Sequence, residues 1–169
     1  MERATLYFDR PGPQNTEQVL ELSKKRAQEE DIQDLVIATT SGDTGLKALE
    51  ICSDFDIIGV SGYRSSHSDP KRIEEFKAGG GKLIYAYEDV DYDYSKSVQD
   101  VYLTIAGEGG KVATEAVVAA VRAGLVEKGT RVIGIGGTLS GADTAFLIVA
   151  SGEFLRLKIQ EILCAPYQH

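Results

Sequence analysis

The sequence predicts one α/β domain over residues 1–169, built on a mostly parallel β-sheet that carries helices on both faces. Short runs of β-branched and apolar residues, which are typical of buried strands, alternate along the chain with segments of helical periodicity. This alternation favours strand–helix–strand units and therefore a parallel sheet. The length of 169 residues suits a single domain, and no linker or internal repeat divides the chain.

The N-terminal segment predicts a short strand, a loop and a helix. Residues 4–8 (Ala-Thr-Leu-Tyr-Phe) favour a strand. Two prolines and a glycine make residues 9–15 a loop. An apolar stripe over residues 16–30 predicts an amphipathic helix, which either Asn15 or Thr16 can cap.

The next five elements continue the alternation of strand and helix. Residues 34–40 and 56–61 are β-branched runs that predict buried strands, and residues 44–52 between them predict a helix. A proline suits the first turn of a helix over residues 70–76, and three consecutive glycines follow that helix. Residues 82–87 then predict a further strand.

The C-terminal part predicts one clear helix and three strands. Residues 111–126 are alanine-rich and helical, whereas residues 96–105 fit a helix or a strand equally well. Residues 131–135 and 144–150 predict strands. Apolar residues alternate at the start of 155–164, so we expect a final strand there, running antiparallel, with a helix as the alternative.

The composition excludes several classes of function. The net charge is −8 and the longest basic run is Lys24-Lys25-Arg26, which argues against nucleic acid as a partner. The chain has no apolar run long enough for a membrane span and no apolar signal core at its start, so we expect a cytoplasmic protein without membrane contact. Cys52 and Cys164 lie far apart without metal-like spacing, which predicts two reduced, buried thiols and no metal site.

Glycines follow three of the predicted buried strands. In open α/β sheets, ligands bind in the crevice beyond the carboxyl ends of the strands. Three strand ends marked in this way predict one continuous site, although the same glycines also suit tight strand-to-helix turns. The glycines in question are Gly42, Gly45, Gly62, Gly136, Gly137 and Gly141.

The segment between the second predicted strand and the helix after it carries the sharpest functional signal. Backbone N–H groups at a helix N-terminus lack intrahelical partners and attract anions, and the hydroxyls of this segment add further donors. Glycine lets the backbone approach a phosphate closely, whereas Asp43 disfavours one unless it points away or caps the helix. No Gly-Lys-Ser/Thr follows, so tight magnesium–triphosphate binding is not indicated. An ordinary Ser/Thr helix cap is the alternative interpretation. The predicted phosphate contacts are Thr39, Thr40, Ser41, Gly42, Asp43 and Thr44.

A second glycine-rich segment, residues 134–143, superficially resembles a dinucleotide-binding fingerprint. No helix clearly follows it and no acidic residue closes a second strand, so a standard dinucleotide fold is rejected. The loop instead suits contact with a ring or a ribityl chain, and its hydroxyls and carboxylate can supply hydrogen bonds. The residues predicted to border the ligand are Gly136, Gly137, Thr138, Ser140, Gly141 and Asp143.

Two further segments are weaker candidates. After the third predicted strand and Gly62, Tyr63 can stack on a flat ring and Arg64 can pair with a phosphate. His67 is more simply an exposed loop histidine, and the only other histidine is His169.

The glycine-rich segment 106–111 opens the alanine-rich helix and is a second potential anion contact. Glu108 within it is the one carboxylate considered there for acid–base work. The sequence supports no Ser–His–Asp arrangement and no metal cluster. Catalytic residues therefore stay unassigned.

Several segments together resemble a family of stand-alone proteins similar to the C-terminal α/β domain of pyruvate kinase. The resemblance implies a Rossmann-like three-layer sandwich, and it implies no pyruvate kinase activity, because the catalytic barrel of that enzyme has no counterpart here. It is weaker over residues 63–69 and 88–108. The segments that carry it are Pro11-Gly12-Pro13, Asn15-Thr16, Ile37–Gly42, Ile135–Thr138, Gly141–Ala145 and Lys158–Cys164.

The resemblance also implies a ligand. In some pyruvate kinases the loop matching Thr39–Thr44 belongs to a sugar-phosphate effector pocket, and among the stand-alone relatives it points to flavin mononucleotide (FMN). We therefore expect an FMN-binding protein, with a flavin-dependent oxidoreductase as one form of it. The alternative is a non-catalytic sensor of a sugar phosphate or another nucleotide. Because pyruvate kinases assemble through this domain, the resemblance and the close-packing face of the alanine-rich helix together imply a homo-oligomer.

Overall fold

The computed structural model describes residues 2–65, 69–91 and 96–167, so His67 and His169 lie outside the described residues. Over the described part, the chain forms one seven-stranded sheet. The prediction of an α/β fold is confirmed. The strands are β1 (Leu6–Phe8), β2 (Asp34–Ala38), β3 (Asp56–Ser61), β4 (Lys82–Tyr85), β5 (Arg131–Gly136), β6 (Thr144–Val149) and β7 (Lys158–Pro166).

Four helices and two short 3₁₀ turns connect these strands. Residues 96–105, which fitted helix or strand, are helical. The segment expected as the final strand divides into a 3₁₀ turn and a strand, so its helical alternative is wrong. The helices are α1 (Thr16–Glu29), α2 (Asp43–Ile51), α3 (Pro70–Ala78) and α4 (Lys96–Arg122), and the 3₁₀ turns are Pro13–Asn15 and Phe154–Arg156.

The strand order across the sheet is β1-β7-β6-β5-β2-β3-β4. β6 pairs antiparallel with both of its neighbours, β5 and β7, whereas every other pairing in the sheet is parallel. The final strand is thus antiparallel to the strand before it, as the sequence predicts. β6 is the strand that runs against the other six, since two reversals restore the common direction in β7.

Alternate residues of the central strands face two separate hydrophobic clusters. In β2, Val36 packs in the cluster that contains the alanines of α4, while Leu35 and Ile37 pack in the cluster that contains the apolar residues of α1, α2 and α3. All three side chains are fully buried. This pattern is expected for a strand that is covered on both faces, and it establishes the three-layer arrangement.

Helix α4 is bent at Gly107, whose φ of 69° and ψ of −173° are not helical. Beyond the bend, the alanine-rich face lies directly on the sheet: Ala113, Ala116 and Ala120 are buried. A Cβ built on Gly136 of β5 would lie 2.6 Å from the amide nitrogen of Ala113, so helix and strand are in near-backbone contact. The face on which the sequence analysis based oligomerisation is therefore already used inside the domain.

Both cysteine side chains are buried, and neither forms a disulfide. Burial raises the pKa of Cys52 to about 11 and that of Cys164 to about 12. A thiol in such surroundings stays protonated and unreactive at neutral pH. This arrangement matches the predicted buried thiols.

The connections create a point at which the winding of the sheet changes direction. From β2 the chain moves outward through α2, β3, α3 and β4 along one face, and α4 then returns it across the other face to β5, on the opposite side of β2. Loops that leave β2 and β5 diverge there, which opens a crevice at the carboxyl ends of these two strands.

No described helix has the length and apolar character needed to cross a membrane.

Candidate functional site

A cleft of about 1180 Å³ lies at the carboxyl ends of β2 and β5. One wall is the loop after β2 together with the first turns of α2, and another is the loop after β5. Pro13 contributes from the 3₁₀ turn before α1, Thr16 from the first residue of α1, and Glu108 and Val112 from α4. The position is the one at which open α/β sheets bind their ligands.

The structure brings together two of the three glycine-marked strand ends. The predicted residues that line the cleft are Thr39, Thr40, Ser41, Asp43, Thr44, Gly137, Thr138, Ser140, Gly141 and Glu108. The predicted residues outside its lining are Gly42, Gly45, Gly62, Tyr63, Arg64, Gly136 and Asp143.

Hydroxyl groups of the β2 loop organise the start of α2. The buried Thr39 hydroxyl accepts a hydrogen bond from the amide of Gly45 at 3.1 Å, and the Ser41 hydroxyl accepts one from the amide of Asp43 at 3.3 Å. The amide of Leu46 donates to the carbonyl of Gly42 at 2.9 Å. The N-cap residue of α2 is Gly42, which forms no side-chain cap hydrogen bond, so the helix start is not the ordinary Ser/Thr cap of the alternative interpretation. The amide of Thr44 lies between the two amides whose hydrogen bonds these hydroxyls accept, in the first turn of the helix.

The carboxylate of Asp43 is held by neighbours at the mouth of the cleft. It forms an ion pair with Arg72 of α3 and accepts a hydrogen bond from the Ser41 hydroxyl at 3.0 Å. Arg72 also lies 3.5 Å from the carboxylate of Asp69. The negative charge that the sequence analysis regarded as unfavourable for a phosphate is thus balanced by a cation. Arg72 itself has no signal in the sequence, because it reaches the cleft only through the packing of α3 on α2.

Gly42 has a different role from the one predicted. Its φ of 90° lies in the left-handed region, and a Cβ there would lie 3.0 Å from the Cβ of Arg72 and 3.2 Å from its carbonyl carbon. The side of Gly42 on which a Cβ would stand therefore faces α3, and Gly42 is not among the residues that line the cleft. Glycine is needed here for the turn and for the packing of two helices.

The second turn of α2 adds residues that the sequence analysis missed. Leu46, Lys47 and Glu50 line the cleft, and Lys47 has no ion-pair partner within the described part of the chain. Lys47 follows Asp43 by four residues, so helical spacing places both on one face. Carboxylates on the lining outnumber cations by three to two, since Glu108 joins Asp43 and Glu50. An anionic ligand would thus depend on local hydrogen-bond donors.

Asp143 is fully buried and holds the loop after β5 in place. One carboxylate oxygen accepts hydrogen bonds from the amides of Gly12 and Thr138, both at 3.0 Å, and the other accepts one from the Thr144 hydroxyl at 2.9 Å. A Cβ on Gly109 would lie 2.5 Å from that second oxygen, so the first turn after the bend of α4 also abuts this carboxylate. The carboxylate of Asp143 therefore lies against the second helix start that the sequence proposed for a ligand.

The glycines of the loop after β5 permit close contacts within the protein. A Cβ on Gly136 would lie 2.2 Å from the carbonyl oxygen of Gly109, and one on Gly137 would lie 2.1 Å from the carbonyl oxygen of Gly141. A Cβ on Gly141 would lie 2.4 Å from the Cα of Pro13. Gly136 therefore permits the close packing of α4 on β5, and the contact of Gly137 with Gly141 is that of a tight turn. Gly137 and Gly141 also border the cleft.

The segment after β3 makes contacts of its own outside the cleft lining. The ring of Tyr63 packs against that of Tyr87 with centroids 4.7 Å apart and the ring planes tilted by 39°. The Arg64 guanidinium donates to the carboxylates of Glu88 and Asp89, so the interpretation of Arg64 as a phosphate partner does not fit the structure. The separation follows from the strand order, because β3 is one strand farther from β5 than β2 is.

The wall that α4 contributes carries an interacting set of charged groups. The Lys111 ammonium lies 3.5 Å from the carboxylate of Glu108 and 3.8 Å from that of Glu115. Burial raises the pKa of Glu115 to about 6, although Lys111 acts in the opposite direction. Burial and the nearby Glu115 raise the pKa of Tyr87 to about 12. Glu108 is the member of this set that reaches the cleft.

A family model described as pyruvate kinase, alpha/beta domain, matches residues 17–149, which is more than three quarters of the chain. The matched range runs from the first turn of α1 to the end of β6 and includes both loops that form the cleft. It agrees with the resemblance that the sequence motifs indicate.

Proposed function

Because the chain belongs to the pyruvate kinase alpha/beta domain family, we propose that it binds a phosphate-bearing small molecule, namely flavin mononucleotide, in the cleft between the ends of β2 and β5. The observation that carries the proposal is the meeting of two separately predicted loops on one cleft. Ligand binding at the switch point of an open α/β sheet is the general rule that supports it.

The polar end of the cleft suits the phosphate group. The amide of Thr44 and the hydroxyls of Thr40 and Thr44 lie at or beside the start of α2, where the helix dipole favours an anion. Lys47 adds a cation that no carboxylate pairs within the described residues. Hydrogen bonds to a charged group contribute roughly 1.5–3 kcal/mol each, so a few donors are enough without a positive field from the whole protein.

The remainder of the cleft suits a ring system and its linking chain. Ala38, Leu46 and Val112 give it an apolar lining, and Thr138 and Ser140 add hydroxyls from the loop after β5. A volume of about 1180 Å³ exceeds what a sugar phosphate fills and admits a mononucleotide. A flavin bound here would supply electron transfer, while the residues of this chain would bind the phosphate and orient the ring.

The test is a titration of the purified protein with FMN, followed by the quenching of flavin fluorescence. Ser41→Asp places a second negative charge beside Asp43 at the proposed phosphate position, so we expect the affinity to fall at least tenfold, equivalent to about 1.4 kcal/mol. Ser65→Asp is the matched control, because it adds the same charge to an exposed loop at the same edge of the sheet but outside the cleft lining. Its affinity should equal that of the parent.

Ser65→Asp should melt at the parent temperature, because its side chain is exposed. Ser41→Asp should melt close to that temperature, because an aspartate at this half-buried position can still accept the hydrogen bond from the amide of Asp43. Gly42 is unsuitable for this test, since a larger residue there would disturb α2 and α3 whether or not a ligand binds. If the parent fails to bind FMN, or if Ser41→Asp binds as tightly as Ser65→Asp, the proposal is wrong.

A further inference from the structure

Leu139, on the rim of the cleft, combines two features that are unfavourable in a protein without a bound ligand. Its side chain is fully exposed, at 101% of the reference area, and its backbone lies in the left-handed region with a φ of 65°. Exposed leucines are common when they are considered singly, but a leucine at positive φ is rare. Residues in such conformations concentrate at ligand clamps and switch regions.

The conformation of Leu139 is imposed from both sides. The amide of Thr138 donates to the buried carboxylate of Asp143 at 3.0 Å, and the amide of Ser140 donates to the carbonyl of Thr138 at 2.8 Å. Gly141 lies against Pro13. The loop is therefore fixed immediately before and after Leu139, and this side chain projects from a rigid support.

Leu139 is one of the residues that line the cleft, together with Leu46 and Val112, and its side chain is free to contact a ligand there. These apolar residues gain little from a sugar phosphate, because hydroxyl and phosphate groups make up most of its surface. They gain from a flat, apolar ring, because burial of apolar surface against such a ring removes it from water. The cleft thus has a hydroxyl-lined part for an anion and a leucine held at its rim.

We propose that Leu139 is a specificity-determining residue that covers the planar ring of an aromatic phosphate monoester and so selects it over a sugar phosphate. The inference rests on the proposed function, since it concerns the same cleft. Its physical basis is that the backbone of the loop is already ordered, so binding orders only the side chain of Leu139.

The test compares two ligands on three variants by isothermal titration. Leu139→Asn keeps a residue that tolerates positive φ but removes the apolar contact. We expect its affinity for FMN to fall at least tenfold while its affinity for ribose 5-phosphate stays unchanged. Leu139→Met retains an apolar side chain and should bind FMN within about threefold of the parent. Leu155→Asn is the matched control, because Leu155 is 85% exposed and lies outside the cleft lining.

The outcomes separate this inference from the proposed function. Absence of FMN binding by the parent would overturn both. If the parent binds FMN and Leu139→Asn binds it equally well, only the role of Leu139 is wrong. Equal loss of FMN and ribose 5-phosphate would show that Leu139 shapes the phosphate loop instead, and would also overturn the inference. The inference would also be overturned if Leu139→Asn changed the oligomeric mass measured by light scattering but not the FMN affinity. Leu139 would then belong to an interface between copies of the chain.

Discussion

A buried carboxylate is tolerated when its oxygens find hydrogen-bond donors, and Asp143 illustrates the condition. Two amides and one hydroxyl donate to it, from the segment before α1, from the loop after β5 and from the first residue of β6. Each of these donors would otherwise be buried without a partner or would have to find water. One side chain therefore fixes the relative positions of the segments that border the cleft.

Removal of this carboxylate should destabilise the protein strongly. Asp143→Ala leaves two amides and one hydroxyl without their acceptor, and we expect a loss of roughly 3–5 kcal/mol in the free energy of unfolding. Asp143→Asn should lose much less, because its amide oxygen can accept from both backbone amides and its amide nitrogen can donate to the Thr144 hydroxyl.

Urea denaturation of the parent and both variants measures the difference. A role confined to ligand binding would leave the unliganded stabilities equal, and that result would contradict the structural role of Asp143. The comparison of alanine with asparagine isolates hydrogen bonding, since the two substitutions remove the same negative charge.

Among the elements, α4 serves two layers of the molecule at once. Beyond the bend at Gly107, its alanines lie on the sheet. On another side of the same helix, Glu108 lines the cleft and pairs with Lys111. Small side chains on one face of α4 allow its backbone to approach β5 closely, and Gly136 of β5 permits the contact because it has no side chain. The same rigid placement holds Glu115 in a largely buried position, which makes the helix sensitive to pH.

The pH dependence follows from the sign of the pKa shift of Glu115. Burial raises its pKa from 4.5 in the unfolded chain to about 6 in the folded protein, so the folded state binds the proton more tightly. The contribution of Glu115 to the stability of the fold is fully present below pH 4.5 and is lost as the pH rises through about 6. Glu115→Gln cannot ionise, and we expect it to be more stable than the parent by about 2 kcal/mol at pH 8, with no such advantage at pH 4.

Urea denaturation at pH 4 and pH 8 tests this expectation. Glu74→Gln of α3 provides the control, because its side chain is 74% exposed and the same substitution should change stability little at either pH. An advantage of Glu115→Gln that is the same at both pH values would mean that ionisation of Glu115 does not set the difference.

For the whole molecule, the winding of the chain places the cleft and also limits how copies can associate. The change of direction between β2 and β5 opens the cleft, and α4 covers the sheet beside it with the face that had been assigned to oligomerisation. A second copy must therefore use another surface. Exposed apolar side chains in the described residues include Tyr7, Val101 and Ile105.

We propose that the protein is nevertheless a homodimer or a larger homo-oligomer, as the family resemblance implies. The chain has a mass of 18.3 kDa, so light scattering at micromolar concentration should give at least twice that value. High salt should weaken the assembly little if apolar contact dominates it, because salt screens charges rather than apolar surface. A mass of one chain across the micromolar range would contradict the proposal.

The sequence alone determined the class of fold and nearly all of its elements. Strands with apolar residues on both faces and helices with an apolar stripe are local patterns. Such patterns can be recognised from the sequence alone, because they do not depend on which segments pack together. The same holds for the hydroxyl-rich segment after β2, because a strand end, a glycine and a following helix are adjacent in the chain. Residues 96–105 stayed ambiguous, since the bend at Gly107 interrupts the periodicity of α4.

Only the tertiary structure decided what the candidate residues contact. Arg72 reaches the cleft because α3 packs on α2, and the side chain of Asp143 turns inward because three donors from distant segments meet there. Gly42 and Gly136 serve contacts between backbones that lie far apart in the sequence. Leu139 acquires its position from the rigidity of its flanks. Each of these facts depends on segments that the chain brings together by folding, and pairings of that kind leave no periodic trace in a single sequence.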